Sequence, residues 1–303
     1  MTRRMTVAQG RANHRGQDVV VREGAAAQLI GKFAYGPFDK DLKGESVEVF
    51  LPAGTPCGRW ERVATATTSR DGEHGLVDGV QDDGGRVYVS VPGRSVGRWP
   101  VRFVVSGDHS HAETGLWVVA PGTRIALFDI DGTLTTSDAE IVKEVLYDLV
   151  EERYVPRMRR GAAKVAWRWA ERGHLPVYLT GRPDLIRDVT TRWLKAKKFP
   201  PGPVLLTRTL AEMVPNAAGV GAYKTRALKR LIGEAGLTVA VAYGNALTDV
   251  ASYAAAGIPK SITYIVGPHA GADGTLALPS YVSHLKALEP PRAPVAPPEP
   301  RAF

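Results

Sequence analysis

The chain has 303 residues, of which 44% are hydrophobic and 23% charged, with a formal net charge of +8 and one cysteine. This length suggests two domains, and the hydrophobic content suffices for packed cores, which excludes a disordered chain. The single Cys57 excludes an intrachain disulfide, and no apolar run approaches the roughly 20 residues of a membrane-spanning helix. The N-terminus lacks the apolar core of a secretory signal, so we expect a cytoplasmic protein.

The first part of the chain has the texture of an all-β domain. Residues 1–16 are polar and predict a flexible tail, and residues 17–121 predict a β-sandwich of immunoglobulin-like class. The prediction rests on seven short runs of strand-forming residues, punctuated by Gly, Pro or Asp-Gly. The runs are DVVVREG, AAQLIGKFAYG, ESVEVFLPAG, RWERVATATTS, RVYVSVP, WPVRFVVSG and AETGLWVVA.

Residues 122–288 alternate strand and helix patterns, which predicts an α/β doubly wound parallel sheet. The predicted strands are RIALFDI, LPVYLTG, GPVLLT, VAVAYGN and SITYIVG. The predicted helices are DAEIVKEVLYDLVEE with Asp138 as its N-cap, RRGAAKVAWRWAERG, PDLIRDVTTRWLKAKKF, AYKTRALKRLIGEAG and DVASYAAAG. Residues 289–303 form a proline-rich tail without core-forming power.

The positive charge is unevenly distributed. From Arg153 to Arg172 the sequence contains seven Lys and Arg residues and one acidic residue, Glu171. A second basic cluster runs from Arg192 to Lys198. One interpretation is solvated helix faces, and the other is attraction to an anionic surface. Because aromatic motifs for reading RNA are absent, we prefer a lipid or a phosphorylated small molecule as partner and expect no nucleic acid.

Polar residues follow three of the predicted parallel strands. Asp129 and Asp131 come after IALF, Thr180 after PVYL, and Asn245 with Asp249 after AVAY. Ligands of an open parallel sheet bind beyond the carboxyl ends of its strands, so these side chains are expected at one edge. Lys224 stands at a helix start between the last two groups.

These residue types suit phosphoryl transfer. Two neighbouring carboxylates repel each other unless a cation such as Mg²⁺ lies between them. One carboxylate can then attack a phosphoryl group to give an aspartyl-phosphate, while the other exchanges protons with the leaving oxygen and with water. A lysine and a hydroxyl can hold the phosphoryl oxygens. Each motif alone also has a plainer interpretation: an Asp-Gly turn for Asp129 and Asp131, a strand-end turn for Thr180, a surface lysine for Lys224, and a helix cap for Asn245 and Asp249.

The segments DIDGT, YLTGR, YK and GNALTD, in this order, resemble the four motifs of haloacid-dehalogenase-type phosphatases. TLTTSD resembles the lipin-type phosphatidate phosphatase domain. Long segments, among them WPVRFVVSGDHSHAET and YGNALTDVASYAAAGIPKSITYIVG, resemble the C-terminal half of membrane-associated phosphatidylinositol-transfer proteins of the retinal-degeneration-B type, over roughly residues 17 to 285.

The resemblance implies a role for each motif residue. Asp129 would be the nucleophile and Asp131 the general acid/base, with Thr180 and Lys224 holding the phosphoryl group. Mg²⁺ would be surrounded by Asp129, the main-chain carbonyl of Asp131, Asn245 and Asp249. The substrate-binding residues would be Gly132, Thr133, Gly181 and Arg182. For Arg182, an ion pair at the start of a helix is the favoured alternative.

The animal transfer proteins generally lack the nucleophilic aspartate and are regarded as phosphatidic-acid sensors, whereas Asp129 and Asp131 are both present here. The resemblance therefore implies recognition of a lipid phosphate, and the residues imply catalysis. We expect an Mg²⁺-dependent phosphatase of phosphatidate or a related lipid phosphate, peripheral on a membrane. The alternatives are a phosphatase of a soluble phosphomonoester and a non-catalytic phosphatidic-acid-binding module.

Overall fold

The computed structural model describes residues 3–136 and 156–288. The chain divides into two compact units, with the boundary between Ala120 and Pro121. The predicted helix DAEIVKEVLYDLVEE, its Asp138 cap and the proline-rich tail over 289–303 lie outside the described residues.

The first unit is a β-sandwich, and each of the seven predicted runs contains a strand. The strands are β1 (Arg15–Gly16), β2 (Val19–Arg22), β3 (Ala27–Lys32), β4 (Ala34–Tyr35), β5 (Lys40–Asp41), β6 (Ser46–Pro52), β7 (Trp60–Thr67), β8 (Asp71–Val77), β9 (Val80–Asp83), β10 (Arg86–Val91), β11 (Gly97–Val105) and β12 (His111–Val119). β1, β3 and β10 form one sheet, and a five-stranded sheet has the order β2-β12-β11-β6-β7, in which β2 and β12 are parallel. β4–β5 and β8–β9 are hairpins.

The two sheets share one hydrophobic core. Leu29 and Val87 from the three-stranded sheet pack in the same cluster as Val47, Val101 and Phe103 from the five-stranded sheet. Along β11 buried residues alternate with less buried ones, as expected for a strand with one face on a core. The β8–β9 hairpin was not predicted, because β8 is largely exposed and has no apolar alternation.

The predicted flexible tail over residues 1–16 differs from the structure. A short helix, α1, spans Arg3–Val7, and β1 pairs antiparallel with β3. Arg15 is buried, and its guanidinium donates hydrogen bonds of 2.7 and 2.8 Å to the two carboxylate oxygens of Asp39. A polar segment is therefore packed here because its charge has a partner inside the fold.

The second unit is an α/β domain around a six-stranded sheet in which every described strand pair is parallel. Five strands match the prediction, and the three-residue β18 is too short for its pattern to be recognised. The strands are β13 (Arg124–Phe128), β14 (Leu175–Pro183), β15 (Val204–Thr207), β16 (Thr238–Gly244), β17 (Thr263–Val266) and β18 (Leu276–Leu278).

Four of the described helices of this unit follow predicted segments, with shifted ends, whereas the short helices over Leu210–Met213 and Tyr281–Ala287 were not predicted. The helices are α2 (Ala162–Glu171), α3 (Arg187–Ala196), α4 (Leu210–Met213), α5 (Ala222–Lys229), α6 (Leu247–Ala255) and α7 (Tyr281–Ala287). α2 begins three residues later than the predicted start at Arg159, because Gly161 before it has a left-handed φ of 91°. A 3₁₀ turn precedes α3 over Asp184–Ile186, and a π-helical turn follows α5 over Arg230–Glu234.

The strand order β15-β14-β13-β16-β17-β18 reverses direction at β13. This is the doubly wound order, and its switch point lies between β13 and β16, where parallel sheets bind ligands. Aromatic packing holds the central strands together just before this point: the Phe128 and Tyr243 rings stack with centroids 4.9 Å apart, and Tyr178 stacks on the other side of Phe128 at 6.1 Å.

Among the helices that the structure describes, none is long and apolar enough to cross a membrane.

Candidate functional site

The candidate site lies at the carboxyl ends of β13, β14 and β16, where the sequence predicts it. Asp129 directly follows β13, and its amide donates a hydrogen bond of 3.0 Å to the carbonyl of Tyr243 on β16. Asp129 is buried, with 3% of its surface exposed, whereas 21% of the Asp131 side chain is exposed. One carboxylate of the pair is therefore enclosed by the sheet, and the other reaches the surface of the site.

A buried lysine joins two of the predicted carboxylates. Lys224 Nζ lies 2.7 Å from Asp129 Oδ1 and 2.6 Å from Asp249 Oδ1. Its position in the first turn of α5 and that of Asp249 in the first turn of α6 aim both side chains at the strand ends. The three groups carry a net charge of −1 when ionised, in a place shielded from water.

This arrangement shifts the pKa values of its members. Burial raises the pKa of the Asp129 carboxyl to about 7; the neighbouring Asp249 adds to the rise, and Lys224 opposes it. Burial lowers the pKa of Lys224, but Asp129 and Asp249 outweigh it, so the net shift is upward and the ammonium stays charged. Further positive charge next to Asp129 would favour its ionised form.

Thr133 links the nucleophile position to Asn245. Its hydroxyl lies 2.8 Å from Asp129 Oδ2 and 3.0 Å from Asn245 Oδ1. Asp249 Oδ2 accepts the main-chain N–H groups of Asn245 and Ala246 at 3.0 and 3.1 Å. The helix-cap interpretation of Asp249 is thus correct for one oxygen, while the other faces Lys224.

Asp131 is held by Arg182. The guanidinium donates from Nε and Nη2 to both carboxylate oxygens, with a shortest distance of 2.7 Å. Arg182 is itself buried; it donates to Thr190 Oγ1 at 3.2 Å and lies 6.0 Å from the ring centroid of Trp193. The structure therefore gives Arg182 an ion pair, and its partner is Asp131.

Thr180 stands beside the same pair. Its hydroxyl lies 3.3 Å from Asp131 Oδ2 and accepts the amide of Arg182 at 3.2 Å. Gly181, between them, has no room for a side chain, because an added Cβ would lie 2.9 Å from a methyl group of Val220. This glycine allows the turn before α5 to pack against β14.

The loop after Asp131 is held by Thr135 and Arg159, which the sequence analysis did not select as site residues. Gly132 has a left-handed φ of 69°, and its amide donates to Thr135 Oγ1 at 3.0 Å. Its carbonyl accepts a hydrogen bond of 2.9 Å from Arg159 Nε. Thr135 lies in the quoted TLTTSD motif and could have been selected from it, whereas nothing distinguishes Arg159 from its basic neighbours.

The donor set fits a hard cation. Asp129 and Asp249 offer carboxylate oxygens, Asn245 an amide oxygen and Asp131 a main-chain carbonyl, and oxygen-only ligands suit Mg²⁺. The shared contact of Thr133 with Asp129 and Asn245 brings two of these oxygens to the same point. Within residues 3–136 and 156–288 no group of three or more His, Cys, Asp or Glu side chains could hold a metal.

A groove lies between α5 and α6, the two helices that carry Lys224 and Asp249. Its volume is about 800 Å³. The α6 wall has exposed apolar residues at a spacing of four, together with Thr248 and Ser252, and 56% of the Leu247 surface is exposed. The lining includes Ala222, Thr225 and Arg226 from α5 and Leu247, Ala251 and Ala255 from α6.

Comparison with known proteins gives the relatives of both units. Residues 12–118 match the PITM 1-3 beta-sandwich domain, and residues 126–267 match the PITM 1-3 LNS2 domain. Human membrane-associated phosphatidylinositol transfer protein 1 is 35% identical over 285 residues, which cover 92% of this chain and 20% of the relative. Protein retinal degeneration B of Drosophila melanogaster is 31% identical, with the same coverage. The chain thus spans about a fifth of the length of these relatives.

A solved structure of a phospho-aspartyl intermediate analogue of phosphoserine phosphatase is also similar. It covers 55% of this chain and 100% of its own, at 14% identity and a TM-score of 0.37.

Proposed function

We propose that this chain, homologous in both domains to the membrane-associated phosphatidylinositol transfer proteins, is an Mg²⁺-dependent phosphatase that hydrolyses a lipid phosphate through an aspartyl-phosphate. We further propose that the α/β domain has a haloacid-dehalogenase-like fold and that the sandwich has an immunoglobulin-like fold. It also includes action from the cytoplasm at a membrane surface.

One observation carries the proposal: two carboxylates two residues apart lie in different environments at the switch point. Asp129 is buried beside Lys224, and Asp131 is partly exposed beside Thr180 and Arg182. Two carboxyl groups with different surroundings can take different roles in one reaction. The Asp-Gly turn interpretation explains neither the buried lysine nor the convergence of three strand ends.

The reaction can be written on these residues. A carboxylate oxygen of Asp129 attacks phosphorus, the bond from phosphorus to the ester oxygen breaks, and Asp131 gives its proton to the leaving alkoxide. Water then attacks the aspartyl-phosphate while Asp131 accepts a proton, which releases phosphate and restores Asp129. Lys224 and Thr180 stabilise the charge on the phosphoryl oxygens in both steps.

Mg²⁺ would be held by Asp129, Asn245, Asp249 and the main-chain carbonyl of Asp131. When bound, it supplies positive charge that favours ionised Asp129 and polarises the phosphoryl group. Side chains of the protein orient these groups: Thr133 orients Asp129 and Asn245, and Arg182 orients Asp131.

Two observations favour a lipid phosphate over a soluble phosphomonoester. The groove between α5 and α6 has exposed apolar side chains on α6, the first of them Leu247, two residues after Asn245, and a chain of CH₂ groups suits contact with them. The relatives are named as membrane-associated phosphatidylinositol transfer proteins, which supports a lipid ligand for this chain.

Phosphate release from a panel of lipid and soluble phosphomonoesters, with and without Mg²⁺, tests the proposal. We expect Mg²⁺-dependent release from phosphatidate or a related lipid phosphate in detergent micelles. Release from soluble esters alone would show that the substrate is a soluble phosphomonoester and not a lipid phosphate. Binding of the lipid without release from any ester would favour the non-catalytic binding module.

A further inference from the structure

Two basic clusters that are separate in sequence meet on one face of the α/β domain. The indole Nε1 of Trp167, in α2, donates a hydrogen bond of 2.8 Å to the main-chain carbonyl of Lys198, just after α3. Trp167 is one of the few exposed large hydrophobic residues, with 44% of its surface accessible. This contact brings the basic residues of α2 next to those at the end of α3.

We define the Trp167 surface as Trp167 and the basic residues of α2 and the end of α3 that are exposed or adjacent to Trp167 in sequence. Ala162, Ala163, Val165 and Ala166 form the buried face of α2, and Lys164 and Trp167 lie on its exposed face. The surface consists of Lys164, Trp167, Arg168, Lys195 and Lys198.

The charge of this surface is strongly one-sided. Lys164, Lys195 and Lys198 are exposed, and none of them has an ion-pair partner in the described parts of the chain. Glu171 is the acid at the edge, and it lies 3.3 Å from Arg168. Three lysines without an ion-pair partner in the described residues therefore lie on the two elements that the contact between Trp167 and Lys198 brings together.

We propose that the Trp167 surface binds the surface of an anionic lipid bilayer. The indole N–H is already bonded within the chain, so its exposed remainder is apolar and can enter the headgroup region without losing a hydrogen bond. The surrounding lysines have long flexible stems and compact charges, which suit a diffuse layer of lipid phosphates.

The residue types argue against other anionic partners. Single-stranded nucleic acid is bound by several stacking aromatic side chains, and this surface has one. Specific phosphate or carboxylate groups are recognised by the planar fork of arginine, whereas the free charges here are all lysines. This inference does not rest on the proposed phosphatase activity, because no candidate-site residue belongs to the surface.

The basic residues just before α2 are poorer probes. Arg159 supports the candidate-site loop through Gly132, so reversing its charge would disturb the site as well as any membrane contact. Lysines of the Trp167 surface have no such contact. The test variant is therefore the triple substitution Lys164→Glu, Lys195→Glu and Lys198→Glu.

Co-sedimentation of the full chain with vesicles tests the proposal, in chelator so that no hydrolysis occurs. We expect binding to phosphatidylcholine vesicles that contain phosphatidic acid or phosphatidylserine, little binding to phosphatidylcholine alone, and release at high salt. The triple variant should bind at least tenfold less. The matched control changes three other basic residues of the same domain, Arg124→Glu, Lys260→Glu and Lys286→Glu, and should bind as the wild type does.

Substitutions of Trp167 separate its apolar contact from its hydrogen bond. Trp167→Ala should weaken vesicle binding severalfold, while Trp167→Phe keeps an apolar ring and should retain most of it. Equal loss in the triple variant and its control would overturn the proposal, because it would reduce the effect to net charge. Binding restricted to phosphatidic acid and lost in Asp129→Asn would assign the lipid contact to the candidate site instead.

Discussion

Arg182 binds both carboxylate oxygens of Asp131, with Nη2 2.7 Å from Oδ1 and Nε 2.9 Å from Oδ2. The guanidinium is buried between Thr190 and Trp193, so its position is fixed by α3. Asp131 is thereby held in one orientation, with its carboxylate beside the Thr180 hydroxyl. An acid/base group needs this kind of fixed position to meet its proton donor or acceptor.

Arg182→Lys should lower kcat for a soluble phosphomonoester by roughly tenfold or more, with a smaller change in KM. The substitution keeps the charge but loses the two-pronged contact that orients Asp131. Steady-state kinetics with saturating Mg²⁺ measures both constants.

Arg226→Lys is the matched control. Arg226 is a partly buried arginine of the same domain, and it forms an ion pair with Glu212. Its kcat for the soluble substrate should equal that of the wild type. An unchanged kcat in Arg182→Lys would mean that Asp131 is not the acid/base, or that it does not depend on Arg182.

Removal of the metal should abolish phosphate release, and Asn245→Ala should raise the Mg²⁺ concentration for half-maximal rate by on the order of ten- to a hundredfold. Asn245 contributes an amide oxygen and contacts Thr133, and it is not the nucleophile. Asp249 is a less selective probe, because it also pairs with Lys224 and caps α6. A magnesium titration of the rate measures the effect.

Asn216→Ala provides the control for this titration. The Asn216 side chain accepts the amide of Gly219 at 2.8 Å at the start of a separate turn. Its half-maximal Mg²⁺ concentration should match the wild type. Full activity in excess chelator would contradict the metal assignment.

Ala251→Phe should reduce hydrolysis of a long-chain lipid phosphate by about tenfold while leaving a soluble ester unaffected. The phenyl ring would fill the groove beside Leu247, where an apolar chain of the substrate is expected to lie. Ala254→Phe, on an exposed part of the same helix outside the groove lining, should leave both substrates unaffected. Equal rates for Ala251→Phe and wild type on the lipid would show that the groove does not bind the apolar chain of the substrate.

The sequence was sufficient to predict where the candidate site lies, because the carboxyl ends of parallel strands share one edge. Asp129 and Asn245 each follow a strand, and Thr180 lies near the carboxyl end of β14. The structure links Asp129 to Asn245 through Thr133, pairs Asp129 with Lys224, and places Thr180 beside Asp131. Their pairing could not be read from the sequence. Whether Arg182 faces Asp131 or a ligand depends on how α3 packs on β14, which no local pattern encodes.

Two further features escaped prediction for the same reason. Arg159 is one of several basic residues in a row, and only the fold aims its side chain at Gly132. The polar residues before Gln17 resemble a tail because the acid that pairs with Arg15, Asp39, is 24 positions away. Contacts across such distances follow from the tertiary structure.

Acid should weaken the β-sandwich below neutral pH through His14. Its Nδ1 accepts the amide of Ala34 at 3.3 Å, and its Nε2 lies 2.8 Å from Ser110 Oγ. Burial lowers the pKa of His14 from 6.5 to about 4. Below pH 6.5 the unfolded chain binds a proton that the folded chain does not, so stability is full above pH 6.5 and falls by up to about 3 kcal/mol towards pH 4.

Hydrogen exchange of the Ala34 amide, measured between pH 7 and 4 and corrected for the intrinsic exchange rate, follows this effect locally. The His14→Asn variant should lose the pH dependence in this window. His111→Asn, at an exposed position of the same unit, should keep it. Protection of Ala34 that stays constant down to pH 4 would show that His14 is not the titrating group.

The most direct test of the catalytic claim compares wild type with Asp129→Asn in Mg²⁺-dependent phosphate release from phosphatidate micelles and from a soluble ester. Asparagine cannot form the aspartyl-phosphate, so we expect release to fall at least about 10³-fold. The melting temperature should be equal or higher, because burial disfavours the charge that is removed. Near wild-type turnover by Asp129→Asn, or no release by the wild type from either ester, would contradict the account.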